Sequence, residues 1–133
     1  GEASARAIGE WLRYGGFVPN LVLCSSARRT ADTWANMGLE AETRFISALY
    51  HASPETILKE VKGCSGDCVL VLAHNPGIAR FAHSLVHTPP SHERFDDYPT
   101  AATLVAEFDG DWEELKLGAA RTRAFTVPRD LSQ

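Results

Sequence analysis

Apolar and polar positions along this chain switch repeatedly between a helical and an extended rhythm. In residues 2–14, Ile8, Trp11 and Leu12 fall at i, i+3 and i+4, the stripe of an amphipathic helix, and Gly15-Gly16 stops it. Pro19-Asn20 makes a turn. Leu21-Val22-Leu23-Cys24 is wholly apolar, as a strand covered on both faces requires. Ser25-Ser26 offers N-caps for a helix over 27–37, with Gly38 as its stop. A strand over 43–49 follows. Ser53-Pro54-Glu55 then opens a helix with a capping hydroxyl, a proline suited to the first turn and a carboxylate at the positive end of the dipole. That helix reaches Lys62 and stops at Gly63. Val69-Leu70-Val71-Leu72-Ala73 is the clearest buried strand, His74-Asn75-Pro76-Gly77 is a tight loop, and 78–87 is a helix. Residues 88–98 form a loop. Residues 102–108 and 112–117 flank Asp109-Gly110-Asp111 and predict a hairpin at the sheet edge, and the tail predicts one more short strand around 124–126.

Helix, strand, helix, strand, helix, strand, helix, hairpin is the order of an α/β fold. It predicts a three-layer α/β/α sandwich with a mostly parallel central sheet and an edge hairpin. In such sheets ligands bind beyond the carboxyl ends of the strands. Two segments fall at such ends: Ser25-Ser26-Ala27-Arg28-Arg29-Thr30-Ala31-Asp32-Thr33, and His74-Asn75-Pro76-Gly77. If their strands are parallel neighbours, the two segments meet. The first puts backbone N–H groups and two arginines at a helix N-terminus, a place suited to a phosphate or carboxylate. Arginine adds a rigid fork that grips oxygens in pairs. On spacing alone each segment also fits a plain structural role: a cap, a solvated charge, a satisfied histidine.

Composition narrows the function further. The chain has 133 residues, 44% hydrophobic and 23% charged, which is one globular domain rather than a disordered or fibrous sequence. A net charge of −4 does not favour nucleic acid or an anionic membrane as partner. No apolar stretch has the length of a membrane span, and three cysteines leave one unpaired, so the expectation is a cytoplasmic protein. His83 and His87 lie at a metal-capable i, i+4 spacing, but Ser84 stands where the zincin signature has Glu. Cys64 and Cys68 lack a second ligand pair. No metal and no cofactor are expected.

Read together, these segments resemble one family. Ser25 to Thr33 looks like the Ser-x-x-x-Arg-x-x-x-Thr element of the histidine phosphatase (phosphoglycerate mutase-like) superfamily, and Ala73-His74-Asn75-Pro76-Gly77 resembles its second-histidine loop. The opening Gly1-Glu2-Ala3 helix, Leu49-Tyr50-His51-Ala52, Tyr98-Pro99-Thr100-Ala101-Ala102, Phe108 to Trp112 and Thr126 to Leu131 resemble its SixA-type phosphohistidine phosphatase branch. The resemblance spans the chain in order. It implies that a histidine in an Arg-His-Gly or Arg-His-Ala motif attacks the phosphoryl group, becomes phosphorylated, and is released by water, while arginines and the second histidine clamp the oxygens. It assigns Arg29 as the helix arginine and His74 as the second histidine, with Ser25, Asn75 and Thr100 as substrate-binding residues. Arg29 keeps the four-residue spacing to Ser25 and Thr33 that Arg28 does not.

No Arg-His pair occurs in the sequence. In the family it lies on a strand upstream of the opening helix, and Gly1 matches the glycine that ends the connecting segment. The resemblance therefore implies a single domain over 1–133 that lacks its first strand and is inactive as it stands. After the middle strand, where other branches carry a Glu or Asp general acid, this chain has Tyr50-His51-Ala52-Ser53-Pro54-Glu55. Glu55 fits the helix N-terminus and His51 the surface. A missing acid suits an imidazole leaving group, and a short chain without lid insertions suits a histidine-phosphorylated protein as substrate, met by a monomer. The alternatives are a small-molecule phosphomonoester phosphatase of the same superfamily and a non-catalytic phosphate-binding module.

Overall fold

The computed structural model describes residues 1–132. Helix α1 (Glu2–Gly15) is closed by Gly16, whose positive φ of 77° lets its N–H turn back to the Arg13 and Leu12 carbonyls. Strand β1 (Leu21–Ser25) is buried along its whole length. Helix α2 (Arg28–Asn36) follows, then strand β2 (Glu42–Ile46), a 3-10 turn (Ser47–Leu49), helix α3 (Pro54–Lys62), strand β3 (Val69–Leu72) and helix α4 (Gly77–Leu85). Strand β4 (Thr103–Glu107), a second 3-10 turn (Trp112–Glu114), strand β5 (Arg121–Thr126) and helix α5 (Pro128–Leu131) complete it.

Strands β2, β1 and β3 form a parallel sheet in that order, with β1 in the centre. Alternate side chains serve opposite layers. Leu21, Leu23, Val69 and Val71 pack with Ile57 and Val61 of α3 and Phe81 of α4. Leu70 and Leu72 face Ile8 and Leu12 of α1, Trp34 of α2 and Leu131 of α5. This is the α/β/α sandwich expected from the sequence. Gly9 makes the α1–α2 contact possible, because a Cβ there would lie 1.8 Å from the Met37 carbonyl oxygen.

Several local expectations are corrected. The antiparallel partner of β4 is β5, not residues 112–117. After Gly110, Asp111 and Glu114 form a reciprocal capping box that curls 112–114 into the 3-10 turn. Trp112 meanwhile donates its indole N–H to the Gly66 carbonyl. The strand expected over 43–49 ends at Ile46, and Leu49 is instead buried by the turn. Helix α4 stops at Leu85, since Val86 is extended and bridges Ala120. The cap of α2 is Ala27, not a serine, and no side chain caps it. Finally, β3 is only half-buried. Its outer edge and the facing residues Thr103, Leu104 and Ala106 of the β4 strand region line one apolar cavity, together with Ile8, Ile78 and Phe81. Among the described residues β3 pairs only with β1, and β4 only with β5.

Candidate active site

The register aligns three strand ends. Cys24 pairs with Leu72 and Ser25 with Ile46, so the segments leaving β1, β2 and β3 emerge side by side. The two segments singled out in the sequence thus lie on one edge of the sheet, joined by a third, residues 47–52.

Ser25 ends β1 at 0% exposure. Its Oγ accepts the Ala27 backbone N–H at 3.3 Å and lies 2.8 Å from His74 Nε2. A buried hydroxyl must place its own proton, and the imidazole is its remaining recorded partner. In the neutral ring this assigns the ring proton to Nδ1. Ser25, expected to touch the substrate, is therefore covered, and reaches the site through His74. Thr30 Oγ1 donates to the Ser25 and Ala27 carbonyls at 2.8 and 2.9 Å and fixes the start of α2. Arg29 is exposed one residue earlier. Thr33 returns its hydroxyl to the Arg29 carbonyl at 3.0 Å, the i, i+4 bond along α2. Arg28 instead pairs with Asp32 at 3.7 Å on the solvent side. Burial first, then His51, then the Arg29 guanidinium hold the His74 imidazole below the ordinary histidine value. The neutral ring is thus the form that sits beside Arg29.

The other two expected ligands are placed differently. Asn75 donates its amide to the Tyr98 carbonyl at 3.1 Å and tethers the 98–101 loop to the histidine loop. Thr100 is exposed and lines a groove with Arg28, Arg29 and Thr33, into which Arg94 and Arg129 also project. Tyr98 has its ring packed between His83, Phe95 and Phe125, and burial pushes its phenol far upward. His83 bonds the Phe95 carbonyl through Nε2.

Tyr50 and His51, which follow β2, come to the same edge. Tyr50 lies edge-on to His74 with ring centroids 5.1 Å apart, and His51 lies against Tyr50 at 4.1 Å. The available signal was position: both follow a parallel strand, where ligands bind.

The parallel sheet with helices packed on both faces has the phosphoglycerate mutase-like fold. No established family profile matches the chain. It is 33% identical over 135 residues to the uncharacterized protein ML1117 of Mycobacterium leprae, covering 97% of this chain and 84% of that protein. It is 32% identical over 136 residues to the uncharacterized protein Rv1276c of Mycobacterium tuberculosis, covering 97% and 86%. Among solved structures it superposes on a candidate phosphohistidine phosphatase SixA from Nakamurella multipartitia with TM-score 0.81 at 30% identity, covering 96% of this chain and 81% of that one. The protein histidine phosphatase SixA complexed with tungstate shares the fold, with TM-score 0.75 at 19% identity over 96% and 81%. The chain belongs to the SixA-type histidine phosphatases.

Proposed function

We propose that this protein removes phosphoryl groups from phosphohistidine carried on another protein. The observation that carries the reading is the single sheet edge where Arg29 lies in the first turn of a helix uncapped by any side chain and His74 is held by a buried serine. Phosphoryl transfer asks the protein chiefly to position the group and neutralise its equatorial oxygens. Arg29 offers paired N–H donors, the start of α2 offers backbone N–H groups, and His74 offers its Nδ1 proton. A bound dianion would shift His74 toward the imidazolium form. The segment after β2 brings Tyr50 and His51 rather than a carboxylate, which suits an imidazole leaving group able to carry its own proton.

The nucleophile in this proposal is a histidine on a strand outside residues 1–133. Two features support that. The facing edges of β3 and β4 are each unpaired among the described residues and line one apolar cavity closed by α1 and α4. A strand seated there parallel to β3 would be covered on both faces and would end beside His74. The similar proteins also extend beyond the matched region, by about a sixth of their length. In the reaction, that histidine forms a bond to phosphorus as the substrate's P–N bond breaks, the electron pair leaving with the imidazole. Water then cleaves the enzyme's P–N bond and releases phosphate. The test is a rate comparison on the complete gene product. A phosphohistidine-bearing protein is expected to be dephosphorylated faster than small phosphate monoesters; the reverse order would favour the phosphomonoesterase reading.

A further inference from the structure

The half-exposed ring of Tyr50 has no role in the clamp just described, yet the fold holds it firmly. Leu49 before it is 1% exposed and Ala52 after it 9%, so both ends of the segment are anchored in the core. The histidine loop locks onto the same segment: a Cβ at Gly77 would lie 2.1 Å from the Ala52 carbonyl oxygen. His51 adopts a positive φ of 61°, a conformation that costs free energy and persists only where the surroundings over-determine it. Its ring is packed edge-on to Tyr50 at an interplanar angle of 63°, and Tyr50 meets His74 at 75°. The phenol ring is thereby fixed one ring-width from the histidine that would touch the phosphoryl oxygens, while 52% of the residue stays open to solvent.

We propose that Tyr50 is a platform for the leaving group, and that it selects phosphoryl groups carried on a flat aromatic ring over those carried on an aliphatic chain. The inference rests on the phosphatase reading above. A leaving group held in line must project away from the strand end that brings the nucleophile. An imidazole there meets an aromatic surface whose orientation is already set, so little conformational freedom is lost on contact. An aliphatic alcohol gains no matching contact with the ring.

Binding of phenylphosphonate and methylphosphonate, which present the same anion on an aromatic and an aliphatic group, tests this on the complete protein by calorimetry. The unmodified protein is expected to favour phenylphosphonate by about fivefold, the scale of one aromatic pair. Y50A and Y50L should bring that ratio close to one, and Y50F should preserve it. Thermal unfolding of each variant checks that the fold is kept. R29A should weaken both ligands together. If Y50A and Y50L keep the aromatic preference while R29A weakens both ligands, the platform is wrong and the phosphate site stands. If R29A weakens neither ligand, the phosphate site itself fails and the platform falls with it.

Discussion

In the proposed reaction His74 needs a fixed ring and a proton aimed away from its support, and its contact with the buried Ser25 hydroxyl supplies both. This was partly legible in the sequence. Position after apolar strands marked the two segments, and the resemblance to the Ser-x-x-x-Arg-x-x-x-Thr element and to the second-histidine loop implied Arg29 and His74 within them; the register brings those strand ends to one edge. What no spacing could show was that Ser25 is covered, because burial depends on helices packed from elsewhere in the chain. That Tyr50 packs against His74, and His51 against Tyr50, was not legible for a related reason: an exposed aromatic and a turn histidine have no periodicity of their own. The electrostatics of His74 lead to a definite pH dependence. Burial, His51 and Arg29 hold its free value below the ordinary 6.5, whereas a bound dianion favours the imidazolium. Binding must then take up a proton, and affinity falls as pH rises through the histidine range. Sulfate remains a dianion throughout that range, so the dependence reports the protein. By NMR, the His74 ring is expected to titrate below 6.5 in the free protein and higher with sulfate bound; an unchanged midpoint would remove His74 from the anion site. Without ligand the same shift works against stability in acid. The unfolded chain takes up the proton first as pH drops below 6.5, so stability declines down to the folded-state value.

Among the elements, the clamp between the 49–52 segment and the start of α4 sets the site's geometry. The sequence marked Gly77 only as part of a tight loop. In the fold it is the point where two backbones touch, and the obstacle to any side chain is a carbonyl rather than a flexible side chain. Gly77→Ala is expected to cost about 1–3 kcal/mol, the range for forcing extra volume into a packed site. Denaturant unfolding measures it. The same substitution should weaken sulfate binding, since His74 lies three residues before the displaced backbone; unaltered stability and binding would show that the contact relaxes freely. The expected edge hairpin kept its first strand and changed its partner. Asp109-Gly110-Asp111 does turn the chain, but the capping box at Asp111 and the Trp112 bond to Gly66 commit the next residues to a 3-10 turn. The pairing passes to β5, whose own apolar positions were weaker in the sequence.

Across the whole molecule, the parallel sheet and its two helical layers followed from the alternation of patterns, and the likeness to the Nakamurella structure agrees with them. The half-burial of β3 did not follow. An unbroken run of Val and Leu implies cover on all sides, yet here it lines a cavity whose far wall includes β4. No helix among the described residues is long and apolar enough to cross a membrane. In the proposed reaction the edge shared by Arg29 and His74 neutralises a phosphoryl group during its transfer from histidine. That role is tested most directly by comparing phosphohistidine hydrolysis by the complete gene product and its Arg29→Ala variant. Turnover is expected to fall at least about 100-fold in the variant, the scale of losing one charge-stabilising donor. A near-normal rate in the variant would contradict it.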